Sequence, residues 1–224
     1  MLFNRADKHD FMPKLHLNQG NTLEVVEQMK LVGYQLRSDL RTISNTSYIV
    51  KRAWKRMWVV RRLKTLGASE QDLLKVLRAQ VLSVLQFATP AWSTLLTVLE
   101  SKRIESVLKT GLFLVYGERY ESFNWALNQA QMSSLEDQRT KMFRTFTQDC
   151  LKSNKFKNWF MKYNDEDGQG ASTRQQKPRF KPVYTRTSAF ARSAIPQMVR
   201  LANSLKPPNP QTVITLNSGQ ILTI

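Results

Sequence analysis

The spacing of apolar positions changes near residue 45, and that change divides the chain into a strand-like start and a helical body. Residues 1–3, 14–17, 22–26 and 31–36 are short apolar or alternating runs. Asn18-Gln19-Gly20-Asn21 supplies a turn between two of them, so the first forty residues read as strands. From Asn45 onward the period is helical. Ile49, Val50, Ala53, Met57, Val60 and Leu63 gather on one face, and Gly67 is placed to end the helix. Ser69 with Asp72 forms the next start, followed by a stripe of Leu73, Leu74, Leu77, Val81, Val84 and Leu85 up to Pro90. Thr97 with Glu100 is a capping box that opens a helix through Ile104, Val107 and Leu108 towards Tyr116, with Gly117 just beyond. A shorter helix is expected over 122–131. Another begins at Ser133 and Ser134, with Glu136 and Asp137 in its first turn, and runs through Met142, Phe143, Phe146 and Cys150. A last one is expected over 156–163.

The pattern then fades. Residues 164–181 lose apolar periodicity and gain Gly, Ser, Gln and Pro, the composition of a linker. Apolar positions return over 188–205, at Phe190, Ile195, Met198, Val199 and Leu201, with Pro196 near a helix start. The expected fold is therefore mainly α: strands over 1–40, a helical bundle over 41–163, a linker over 164–187, a short helical segment over 188–206 and a loose tail over 207–224. Ala79 to Leu99 holds no charged residue and is long enough for a bilayer. Gln80, Ser83, Gln86, Thr89, Ser93, Thr94 and Thr97 stud it and Pro90 interrupts it, so two buried elements account for it better than a membrane span.

Charge changes this picture most. Against 17 Asp and Glu stand 34 Lys and Arg, a net charge of +17 over 224 residues, which draws a globular chain to polyanions. The predicted helix 46–66 carries Lys51, Arg52, Lys55, Arg56, Arg61, Arg62 and Lys64 and no acid. At about 100° per residue, Lys51, Lys55, Trp58 and Arg62 share one stripe opposite the apolar face, whereas Arg61 and Lys64 turn nearer that face. Cations at this spacing suit a phosphate backbone, and an interleaved indole suits a base or sugar. A second acid-free block over 171–206 holds Arg174, Lys177, Arg179, Lys181, Arg186, Arg192, Arg200 and Lys206, and reads equally as a solvated arm or a nucleic-acid contact.

Catalytic patterns do not accompany the charge. The 2 histidines, His9 and His16, and the single Cys150 have no zinc-ligand spacing, no phosphate-cradling glycine loop occurs, and Asp165, Glu166 and Asp167 sit in the Gly-rich linker. With one cysteine and no apolar leader over 1–11, the chain is expected to be intracellular, in nucleus or cytoplasm, and not secreted.

Two resemblances follow from these residues. Leu31-Val32-Gly33-Tyr34-Gln35-Leu36 precedes a basic helix with Lys51, Ala53, Lys55, Arg56, Trp58 and Arg61-Arg62-Leu63. Further on come Val81-Leu82-Ser83-Val84-Leu85-Gln86-Phe87-Ala88-Thr89-Pro90-Ala91-Trp92 and Ile104-Glu105-Ser106-Val107-Leu108-Lys109. In this order they resemble the region after the palm in non-LTR retrotransposon reverse transcriptases, and the likeness continues through 120–126, 135–139 and 190–201. The resemblance implies that Leu31, Val32, Gly33 and Tyr34 correspond to the primer-grip hairpin. It further implies that the helices after Asn45 form the thumb, and that Met1-Leu2-Phe3-Asn4 is a palm strand. On that reading the chain is a truncated RNA-directed DNA polymerase, with the palm and its magnesium-holding aspartates upstream of Met1. It would bind an RNA or DNA primer-template through Lys51, Arg52, Lys55, Arg56, Trp58 and Arg62, with no cofactor and no catalysis of its own. A weaker resemblance, over 30–62, is to the amino-terminal region of an AlkB-type tRNA-modifying dioxygenase and methyltransferase, whose iron triad and adenosylmethionine loop have no counterpart here. The alternative function is a structural or adaptor protein that uses the same bundle for protein contacts.

Overall fold

The computed structural model describes residues 26–163 and 179–205. The strands expected at 1–3 and 14–17, the turn at 18–21, all of the strand expected at 22–26 except Val26, the linker acids and the tail lie outside these residues, and Val26 itself precedes the first strand. The described chain is mainly helical, with one small antiparallel sheet. That sheet pairs β1 (Gln28–Leu31) with β2 (Tyr34–Arg37), in a register that sets Leu31 opposite Tyr34. The 31–36 run is therefore not one strand but the end of one, a two-residue turn and the start of the next. Val32 at φ 47° and Gly33 at φ 89° provide the positive φ values that a tight hairpin turn of matching twist demands.

α1 (Ile43–Thr65) is the spine of the bundle. Ile49, Val50, Ala53, Met57 and Val60 are buried, as their spacing predicts, and Leu63 is half-buried. Gly67, at φ 80°, follows the last turn. α2 (Glu70–Val76) starts where Ser69 accepts a hydrogen bond from the Asp72 amide. The stripe expected to run unbroken to Pro90 is instead divided. A π-helical stretch (Leu77–Leu82) leads into α3 (Ser83–Gln86), and Ala88, at φ 50°, turns the chain into α4 (Thr89–Trp92), where Pro90 occupies the first turn. Trp92 is fully buried, and its indole N–H donates to the Phe87 carbonyl at 2.9 Å.

α5 (Val98–Tyr116) packs most extensively against α1 and runs parallel to it, with Glu100 beside Thr42 and Thr46 at one end and Leu114 beside Lys64 at the other. At Gly111 a Cβ would lie 2.6 Å from Leu77 Cδ1 of the π-helical stretch and 3.2 Å from Met57 Cε of α1, so a larger residue there would force those side chains to shift. The capping box at Thr97 forms as expected, and Gly117 closes the helix at φ 57°. α6 (Phe123–Gln129) and α7 (Leu135–Lys152) follow, each capped by a serine, Ser122 and Ser134. The helix expected over 156–163 is a 3-10 turn, Asn154–Trp159.

α7 also borders a second apolar cluster built from Phe143, Cys150, Phe160, Phe180, Met198, Val199 and Ala202. Here the linker assignment needs correction at its far end. Phe180 is buried against Phe160, and both its backbone groups bond the side chain of Asn203, at 2.8 and 3.0 Å, so residues 179–187 strap the second cluster. Aromatic burial outweighs the polar composition around it. The helical segment expected after 188 is two helices, α8 (Ser188–Arg192) and α9 (Ala194–Ser204), with Pro196 in the first turn of α9. Among the described residues no helix is long and apolar enough to cross a membrane.

Candidate nucleic-acid interface

Because α1 buries one face in the bundle, the opposite face must look outward, and Lys51, Lys55, Trp58 and Arg62 occupy it. All are exposed, Trp58 at 65 %. Lys51, Lys55 and Arg62 have no ion pair among the described residues. From Lys51 to Arg62 the helix climbs about 16 Å, at about 1.5 Å per residue. That is the axial rise of about five nucleotides in a strand, so one face of this helix can follow a short stretch of backbone.

The stripe has a neighbour that its own sequence does not reveal. Between α1 and α5 runs an open groove of about 810 Å³ lined by Ser47, Val50, Lys51, Trp54, Lys55, Arg103 and Ser106. Arg103 is exposed, and its Nη1 donates to Ser47 Oγ at 3.3 Å, which fixes a cation on the far wall. Trp54, one turn before Trp58, offers a second indole at 36 % exposure. Neither residue was singled out from the sequence. The available signals were an indole three residues after Lys51 and the Lys102-Arg103 pair on the first turns of the next long helix.

The two remaining cations proposed for the interface lie on another flank. Arg52 stacks 5.4 Å from the centre of the Tyr48 ring, and its Nη1 reaches the Tyr48 hydroxyl at 3.4 Å. Arg56 donates from Nη1 to the Gln80 carbonyl at 3.1 Å, fastening α1 to the π-helical stretch. Lys64 donates to the Leu114 carbonyl near the end of α5, while Arg61 stays exposed. The structure thus brings Lys51, Lys55, Trp58 and Arg62 together with Trp54 and Arg103, and sets Arg52 and Arg56 apart.

One of the two α5 carboxylates is drawn into the bundle. Glu100 is 5 % exposed and turns inward, with Oε1 accepting from Thr42 Oγ1 at 2.8 Å and Thr46 Oγ1 at 3.2 Å. Its Oε2 accepts from the Thr97 amide at 2.9 Å and the Thr97 hydroxyl at 2.7 Å. Burial opposes its charge, yet the bonds from Thr97, Thr42 and Thr46 outweigh burial and hold the carboxyl below its ordinary range. Glu100 therefore caps α5 and ties down the start of α1, its carboxylate turned into the bundle.

Leu31, Val32, Gly33 and Tyr34 form the hairpin tip. Val32 is 84 % exposed and Leu31 is also exposed, whereas Tyr34 packs against the main core, and burial pushes its hydroxyl pKa up. Gly33 backs onto Phe87, whose Cε1 would stand 3.1 Å from a Cβ at that position. Among the described residues no group of three His, Cys, Asp or Glu side chains is gathered as a metal site. His9, His16 and the acids at 165–167 lie outside those residues. No family model, curated protein or solved structure matches the chain.

Proposed function

We propose that this chain binds RNA or DNA through the phosphate backbone, laying a strand along the outward face of α1 and the groove between α1 and α5. The observation that carries the reading is the row of Lys51, Lys55 and Arg62, exposed and without ion-pair partners among the described residues, with Trp54 and Trp58 interleaved and Arg103 across the groove. Ordinary surface helices mix both signs of charge, and α1 contains no acid. Lys and Arg at helical spacing neutralise phosphates, and exposed indoles accept bases whatever their identity, so binding is tight at low salt and indifferent to sequence.

The resemblance to the post-palm region of non-LTR reverse transcriptases gives this activity a setting. In that setting the bundle is a thumb closing on a primer-template, the hairpin at Leu31 to Tyr34 is a primer grip, and polymerisation belongs to palm aspartates and Mg2+ elsewhere in the parent enzyme. The chain alone grips without extending a primer. Glutamate at Lys51, Lys55 and Arg62 together is expected to abolish binding of a labelled RNA-DNA primer-template in an anisotropy titration, with circular dichroism unchanged. Undiminished affinity would overturn the proposal. An adaptor role is favoured by one specific observation, the exposed apolar tip at Leu31 and Val32. Under that reading the same triple variant keeps its protein partner, and nucleic acid never competes for it.

A further inference from the structure

A cavity separate from the α1–α5 groove opens where the 3-10 turn Ser93–Leu95, the first turns of α5 and the first half of α7 meet. Its volume is about 410 Å³, within the range of about 300–1,000 Å³ common for small-ligand sites. One wall is polar, with Thr94, Ser101, Lys102, Glu105 and Arg139, and the exposed Glu136 stands at the rim. The other wall is apolar, with Leu96, Val98 and Phe143.

Arg139 is the unusual member. It is 5 % exposed, and its Nη2 donates to Ser101 Oγ at 2.7 Å, but Nη1 is buried with no hydrogen-bond partner among the described residues. Thr94 Oγ1 and Glu105 Oε2 are buried and unpartnered in the same way. Glu105 spends its other oxygen on the Leu135 amide, at 3.0 Å, and forms no ion pair with Arg139. Burial pushes the Glu105 carboxyl up and the Arg139 guanidinium down, the mark of charges that the protein itself leaves incompletely compensated. A buried guanidinium nitrogen without an acceptor is costly, and an unpartnered hydroxyl in the same cavity lining is costly in the same sense, so a ligand that accepts from both relieves both penalties.

We propose that this cavity binds a phosphate monoester. A tetrahedral oxyanion presents acceptors to several directions at once. Arg139, the Thr94 and Ser101 hydroxyls and Lys102 line the cavity as its donors, set against the carboxyl groups of Glu105 and Glu136 in the same lining, of which burial pushes that of Glu105 towards its neutral form. The apolar wall suits a ring or chain carried by the ester. A free mononucleotide and the phosphorylated end of a strand share this chemistry. The proposal does not depend on the α1–α5 groove, and the two are separable by mutation.

The test is calorimetric titration and thermal melting of the full chain with inorganic phosphate, adenosine monophosphate, and one oligonucleotide in 5′-phosphorylated and 5′-hydroxyl forms, each against chloride at matched ionic strength. Phosphate is expected to raise the melting temperature above the chloride control, and adenosine monophosphate to bind more tightly than phosphate. Thr94→Val should weaken phosphate binding about tenfold while leaving the ligand-free melting temperature unchanged or raised, because it removes an unpartnered hydroxyl. A merely structural threonine would not give that pair of results. Arg139→Lys should weaken binding further, and Thr94→Val stands as the test if the lysine variant fails to fold. Glutamate at Lys51, Lys55 and Arg62 should leave phosphate affinity intact, which separates this site from the groove. A preference for the phosphorylated oligonucleotide over its hydroxyl form assigns the site to strand ends, and equal binding of the two assigns it to free nucleotides. Phosphate indistinguishable from chloride, or Thr94→Val binding phosphate like the parent, overturns the proposal.

Discussion

Removing the Glu100 carboxylate tests whether one buried acid holds the start of α1 against the start of α5. Four donors converge on it: the Thr42 and Thr46 hydroxyls and the amide and hydroxyl of Thr97. Thr42 and Thr46 are 3 % and 0 % exposed, so in Glu100→Ala neither hydroxyl gains water easily. Hydrogen bonds to a charged acceptor contribute about 1.5–3 kcal/mol each, and a stranded buried donor costs about 1–3 kcal/mol. These terms overlap rather than add, so we expect a net loss of about 2–4 kcal/mol for alanine and about 1–2 kcal/mol for Glu100→Gln, which keeps one acceptor. The assay is urea unfolding followed by circular dichroism, with Thr46→Val as partner in a double-mutant cycle. Thr46→Val should cost about 1 kcal/mol in the parent and nothing in Glu100→Ala, where it removes a stranded hydroxyl. The pH dependence has a definite sign. The folded carboxyl sits below its ordinary 4.5, so its contribution is complete above that pH and is lost as the pH falls through the folded value. Glu100→Gln should flatten the stability profile in this acid window alone. A cost under about 0.5 kcal/mol, or strict additivity in the cycle, would refute the reasoning.

Three further outcomes follow from the packing. Gly111→Ala drives a Cβ to 2.6 Å from Leu77 Cδ1 in a closed core, and overpacking of about 1–3 kcal/mol should exceed the helix-propensity gain of about 1 kcal/mol, lowering the urea midpoint. Val32 holds φ 47° at an exposed tip, so Val32→Asn should stabilise the chain by about 1 kcal/mol in the same assay, and a destabilised variant would show that the valine side chain is held by contacts. Asn203→Ala strands both backbone groups of Phe180 and should cost about 1–3 kcal/mol; the buried Cys150, whose thiol burial pushes up, should then react faster with a thiol reagent, and unchanged reactivity would place the strap outside the second core.

Local chemistry was what the sequence made readable. Ser69 with Asp72, Thr97 with Glu100, Ser134, Gly67 and Gly117 each mark a helix end through bonds or φ values confined to a few residues, and each helix end lies where they place it. The buried face of α1 was legible for the same reason, since a period of about 3.6 residues is a local property, and its outward stripe follows directly. What escaped depends on partners far along the chain. Glu100 looked like a cap, and nothing near it announces Thr42 and Thr46. Phe180 looked like one aromatic in a polar linker until Phe160 and Asn203 cover it. Arg56 belonged to a run of cations, and only the fold presents it with the Gln80 carbonyl. Arg103 joins the groove because α5 packs along α1 and sets it beside Ser47, a packing fact with no signature around residue 103.

In the proposed function, Lys51, Lys55 and Arg62, with Arg103 across the groove, neutralise phosphates of a bound strand. The most direct test is the salt dependence of affinity for one duplex, measured by anisotropy for the parent and for Lys51→Gln, Lys55→Gln, Arg62→Gln combined. Four phosphate contacts give a slope of log affinity against log salt of about −3.6, and loss of three should bring it to about −0.9. A parent slope near zero, or a variant slope equal to the parent's, would contradict the account.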